Sequence, residues 1–227
     1  METKSENSRR NFMGAMMLGA TASTLSMFTN PLHANMPNFD EKKMSSAEDW
    51  FKKIKGEHRI VYDGSYPHKG FPIIWNWAFY LSHNETGADD SEITAMTVLR
   101  HDAIPFAFNS VLWEKYPLGE VFHVKQADGS PYKRNPYYEP QEGDFPLPVI
   151  QGIKDMQARG AMFCVCNLAI SVYSGAVAQQ MGLDPKEVYK EWIKAVLPGV
   201  QIVPSGVWAL GEAQKRGCGY IFAGNTI

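Results

Sequence analysis

From residue 58 to residue 222 the chain alternates short runs of β-branched and aromatic residues with longer segments of helical apolar spacing. Residues 58–63, 92–99, 161–165, 200–203 and 218–222 read as five strands. Between them, 71–82, 104–116, 150–159, 167–181, 185–196 and 205–216 read as helices. Gly160 supplies a stop signal, and Asp184-Pro185 a capped start with proline at the first helical position. A rhythm of this kind is satisfied by an α/β fold. Strand must follow strand in parallel, and both sheet faces must be covered. The expectation is therefore three layers: a mostly parallel five-stranded sheet with helices on both faces.

Two regions break the rhythm. Residues 117–148 hold six of the 14 prolines and little periodicity, so they read as a long irregular insertion. Trp113, Tyr132, Tyr137 and Tyr138 lie in or beside it and suit a lid or a subunit contact. Residues 35–56 are polar and charged, with one amphipathic helix at 47–54, and read as a mobile or loosely docked arm before a folded domain at 57–227.

The first 34 residues read as an address. Ser8-Arg9-Arg10-Asn11-Phe12-Met13 resembles a twin-arginine export motif, a mildly apolar run follows from Met13 to Phe28, and Leu32-His33-Ala34 suits a signal peptidase. The run is short and rich in glycine, serine and threonine for a membrane span. Export to the periplasm is expected, with the membrane met only in transit. The net charge of −2 and the lack of a basic block argue against nucleic acid as a partner.

Chemistry in an open α/β sheet gathers at the carboxyl ends of its strands. The third strand brings Cys164 and Cys166 there, directly before a helix. A cysteine at that junction feels the positive end of the helix dipole, which favours thiolate, the form that accepts a sulfane sulfur, attacks a disulfide or binds a soft metal. The plainer reading is a small buried hydrophobe. Extended geometry puts the two Cα atoms roughly 7 Å apart, which disfavours a disulfide between them. Cys218 lies on another strand, and its pairing is left open.

Arg100-His101-Asp102 closes the second strand. His101 beside Cys166 would take the thiol proton or complete a Cys/His metal site, with Asp102 setting its tautomer. Alternatively, Asp102 caps the following helix and His101 is a turn residue. Asn167 would orient a ligand beside Cys166 or cap its own helix. Ser205-Gly206 offers backbone N–H groups at a helix start, a generic anion cradle. There is no Cys-x-x-Cys pair, Walker loop or nucleophile elbow, and no pattern names a cofactor.

The last third resembles the DsrE/DsrF-like family of sulfur-relay proteins. The carrying residues are the strand ending in Val203-Pro204-Ser205-Gly206-Val207, a helix bearing Ala213-Gln214, and Gly217-x-x-Tyr220-Ile221, together with Phe163-x-x-Cys166 followed at once by a helix. The likeness is specific from Phe163 to Ile221 and loose over 58–116. The arginine-led leader, the insertion and the doubled Cys-x-Cys depart from the short cytoplasmic members. The resemblance implies the fold, Cys166 as the matching cysteine, a homo-oligomer, and a sulfur-donor or acceptor protein or small thiol as partner. The expected function is sulfur or thiol handling, with Cys164 and His101 supporting Cys166 and with Arg100, Asp102, Asn167, Ser205 and Gly206 holding the ligand. The alternative is a non-catalytic oligomeric module that binds a small ligand or metal at the strand ends.

Overall fold

The computed structural model describes residues 39–224. The twin-arginine motif, the apolar run and the cleavage site lie outside the described residues. Five strands form one sheet: β1 (His58–Gly64), β2 (Ile93–Leu99), β3 (Met162–Cys166), β4 (Gln201–Val203) and β5 (Gly219–Phe222). Their order is β4-β3-β2-β1-β5, and all four neighbouring pairs run parallel. The chain is thus an α/β protein, as its rhythm predicts, with the sheet wholly rather than mostly parallel.

Strand alternation sorts the core into two layers. Val61, Met96, Val98, Met162, Cys164 and Val203 face α1 (Glu41–Phe51) and α8 (Gly206–Lys215). Ile60, Tyr62, Ala95, Leu99, Phe163 and Val165 face the larger layer. That layer is built from α2 (Phe71–Glu85), α5 (Ile153–Arg159), α6 (Asn167–Met181) and α7 (Pro185–Lys194), with the insertion. Central strand β2 is buried along its whole length. Its threonines are accommodated because each finds a partner. Thr94 donates to the Lys55 carbonyl at 2.7 Å, and Thr97 donates to the Pro72 carbonyl at 3.1 Å while accepting from Asn76 at 3.0 Å.

Three expectations need correction. Residues 35–56 do not all form a loose arm: α1 docks on the sheet, with Ala47, Trp50 and Phe51 buried. Phe51 meets Trp208 of α8 edge-on at 5.5 Å. Three apolar side chains on one face outweigh the polar composition of the segment.

Residues 104–116 are not one helix. A 3-10 segment spans His101–Ala107, Phe108 is extended, and α3 begins at Ser110–Lys115. Pro105 has no N–H to donate, and Asn109 accepts from the Leu112 N–H at 3.1 Å, so a new helix starts there.

The insertion does not hold its aromatic residues at the surface. After the single turn of α4 (Leu118–Val121) it packs inward, with Tyr132 and Tyr137 buried beside fully buried Trp113. Asn135 ties it down by donating to the Phe106 and Phe108 carbonyls at 2.8 and 2.9 Å.

Candidate functional site

The carboxyl ends of the strands converge at Cys166. Its residue is 5% exposed, closes β3 and serves as the N-cap of α6. Its Sγ accepts from the Ala169 N–H at 3.3 Å, so sulfur takes the place that an oxygen usually fills at a helix start. Asn167 is consequently free of capping, and its Oδ1 accepts instead from the Tyr189 hydroxyl at 2.6 Å. Ser205 does cap α8, accepting from the Trp208 N–H at 3.1 Å. The Gly206 amide, at the head of α8, lowers the pKa of this thiol as the Ala169 amide does, whereas the Leu168 N–H donates to the Pro204 carbonyl at 3.2 Å.

Burial is nevertheless the largest influence on this thiol and raises its pKa. The neighbouring amides at the two helix starts and the Arg100 charge pull the other way without reversing it. Cys166 therefore rests as a thiol, contrary to the expectation of a standing thiolate. Its environment is arranged to receive negative charge once the proton leaves. Cys164, two residues earlier and packed in the α8-side layer, is fully buried, and burial holds it well above the ordinary thiol value. It packs beneath the site, and all three cysteines are free.

Arg100 is the charged neighbour of Cys166. The pairing of Leu99 with Val165 sets the next residues, Arg100 and Cys166, side by side at the ends of β2 and β3. The arginine stem lies along α8: a Cβ built at Gly206 would stand 2.6 Å from the Arg100 Cβ and 2.8 Å from its Cδ. Gly206 is thus required by the close approach of a side chain, besides offering its amide. The guanidinium forms a bidentate pair with Asp63, Nε to Oδ1 at 2.6 Å and Nη2 to Oδ2 at 2.9 Å. The Tyr220 hydroxyl donates to the same Oδ2 at 2.8 Å. By strand alternation Tyr220, Asp63 and Arg100 lie on the α8 side of the sheet, one from each of β5, β1 and β2, while Cys166, where β3 turns into α6, also packs against the larger layer.

His101 and Asp102 belong to a different group, against α6. His101 adopts φ +49°, and its ring meets those of Tyr66 at 5.3 Å and Tyr173 at 6.0 Å. Its Nδ1 lies 3.2 Å from the Asp102 carboxylate, which also accepts a short hydrogen bond from the Tyr173 hydroxyl. Burial first, and then Asp102, raise the Tyr173 pKa. Asp102 is a partner for His101, as expected, but no hydrogen bond joins His101 to Cys166. Asp102 caps no helix: the 3-10 segment has Arg100 at its cap position and no side-chain cap.

Of the residues expected at the site, the fold brings together Cys166, Arg100 and Gly206. Cys164 and Ser205 serve as packing and cap, Asn167 is tied to α7, and His101 and Asp102 form their own cluster. Asp63 and Tyr220 were not foreseen. Asp63 did carry a signal, as a carboxylate directly after the apolar run Ile60–Tyr62 of its strand. Among the described residues no three His, Cys, Asp or Glu side chains are grouped to hold a metal ion. An open groove of about 440 Å³ lies elsewhere, between α3 and the insertion, and is lined by Ser110, Glu114, Tyr132, Lys133 and Arg134. It shares no residue with the Cys166 row.

The chain matches no protein-family model and no curated protein. Among solved structures it is similar to MTH1491 of Methanobacterium thermoautotrophicum, a protein of unknown function. The identity is 13% and the TM-score 0.40, over 73% of this chain and 99% of that one.

Proposed function

We propose that this is an exported, homo-oligomeric protein of the DsrE/DsrF-like kind that handles sulfur or thiols, with Cys166 as acceptor of a sulfane sulfur. One observation carries the reading: the Cys166 sulfur lies at the start of α6, beside the head of α8 and the Arg100 strand end, where amide donors and a positive charge oppose the burial that keeps it a thiol. The resemblance over Phe163–Ile221 supports it.

The step is an exchange. The Cys166 thiol attacks the outer sulfur of a donor persulfide, R–S–SH. A new S–S bond forms at Cys166, the donor S–S bond breaks, and its electron pair leaves with R–S⁻. The proton given up by Cys166 ends on that leaving thiolate, so there is no net oxidation. The donor is a protein or a small thiol.

The test is intact mass of protein isolated without reductant. A gain of about 32 Da that reductant removes, and that Cys166→Ser lacks, is the expected result. Full sulfur loading in Cys166→Ser would overturn the reading.

A second reading is a non-catalytic binding module, favoured by the same amides and Arg100 acting as a receptor for a small anion. It predicts an unmodified denatured mass and a ligand adduct seen only under native conditions. For a metal the fit is poor, since the described residues group no three suitable donors.

A further inference from the structure

Asp63 makes no contact with sulfur, yet it is the most enclosed charge at the strand ends, with its side chain 3% exposed. Both its oxygens are committed. Oδ1 takes Arg100 Nε, while Oδ2 takes Arg100 Nη2 and the Tyr220 hydroxyl. An arginine side chain on its own samples many rotamers, and a two-point grip on a planar fork removes that freedom. The stem is confined as well, because α8 approaches it at Gly206 with no room for a Cβ. Asp63 thus fixes the head of Arg100 on the β1 side and α8 fixes its shaft, while the β2–β3 register places the root of the side chain next to Cys166.

We propose that Asp63 is a positioning residue, with Tyr220 as its second tether, that holds the Arg100 guanidinium in one place at the strand ends so that anionic sulfur at Cys166, on the neighbouring strand, meets a fixed positive charge. The sulfur anion is the Cys166 thiolate before transfer and the terminal persulfide after it. The second half rests on the sulfur-handling reading; the first half does not. The titratable groups around Cys166 are few. Cys164 lies on its own strand, Arg100 comes from β2, and Asp63 and Tyr220 stand behind Arg100 from β1 and β5, whereas α6 and α8 present backbone N–H groups.

Two roles for Asp63 predict opposite signs. If Asp63 only offsets the arginine charge, removing its carboxylate leaves more positive potential at Cys166, and the thiol ionises at lower pH. If it holds the guanidinium in place, removing it lets Arg100 turn to water, and the thiol ionises at higher pH. The experiment is the pH dependence of iodoacetamide labelling at Cys166, read by mass spectrometry of its peptide in the exported protein and its variants. In Asp63→Asn the midpoint should rise by about one pH unit, the scale of a lost charge neighbour. Arg100→Lys keeps the charge without the two-point grip, and should shift the same way by less. Tyr220→Phe should give the smallest rise. In an Arg100→Gln background, Asp63→Asn should add nothing.

A fall in the midpoint of Asp63→Asn would overturn the proposal. If Asp63→Asn loses its near-ultraviolet dichroism and cannot be used, unshifted midpoints in both Arg100→Lys and Tyr220→Phe would overturn it instead. Sulfur loading is measured separately on the same preparations. A wild-type protein that takes no sulfur but shows these shifts defeats the sulfur reading and leaves the positioning role in place.

Discussion

Two polar groups flank the strand ends, and they are built on different principles. On the α8 side, Tyr220, Asp63 and Arg100 line up toward Cys166, each side chain delivered by a separate strand. On the α6 side, His101, Asp102, Tyr66 and Tyr173 close on one another. The first group holds an ion pair whose carboxylate is 3% exposed; in the second, His101 and Asp102 are 45% and 31% exposed. Histidine and aspartate near a cysteine suggest catalysis by residue type alone. Placement says otherwise, since the row that reaches sulfur is the one without a histidine.

The contrast can be broken most directly by stability. Asp63→Ala leaves Arg100 without its partner at a largely buried site and should cost about 3 kcal/mol in urea unfolding. Asp102→Ala removes a more exposed carboxylate and should cost about 1 kcal/mol. Equal losses would erase the distinction between the groups.

The second prediction concerns alkaline pH. Burial raises the pKa of both Cys166 and Cys164 above the ordinary 9.0. The unfolded chain therefore ionises first as pH rises. Stability from these thiols is fully present below pH 9.0 and is lost above it, until the folded thiols ionise in turn. Each thiol contributes a slope of up to about 1.4 kcal/mol per pH unit, and Cys166→Ala should flatten the urea midpoint against pH by its share.

Smaller still, Tyr173→Phe removes the hydroxyl that reaches Asp102 and should cost about 1 kcal/mol while leaving the Cys166 labelling midpoint in place. A shifted midpoint would mean that the α6 group acts on sulfur after all. Smallest is His101→Gly. At φ +49° a residue without Cβ is relieved of strain, so stability should change by roughly 0.5 kcal/mol or less, with sulfur loading intact. Loss of loading in this variant would restore His101 to the reaction.

How much of this was legible in the sequence depends on whether a feature is local. Helix α6 begins and ends where its spacing indicates, and β1 and β3 lie within one residue of their expected bounds. Cys166 at a strand end follows from the same local pattern. The break at Pro105 and Asn109 was misread because apolar spacing continues through it while backbone donors do not. The Asp63–Arg100 pair was out of reach for another reason. Its members are 37 residues apart, and Asp63 and Tyr220 are 157 apart. Only the strand order β5-β1-β2-β3 makes neighbours of them, and no periodicity encodes which strands adjoin. The docking of α1 was hidden by composition, because a polar segment with three well-spaced apolar residues averages to a polar one.

Helix α1 has a reach beyond its own stability. It presses on α8 through Phe51 and Trp208, and the Arg216 guanidinium at the far end of α8 sits 5.1 Å over the Phe51 ring. The other end of α8 is where Gly206 meets Arg100. The first described helix is therefore a strut behind Cys166. A protease cut within Glu41–Phe51 would free α8 to shift along the sheet and unseat the arginine, silencing a cysteine it never touches.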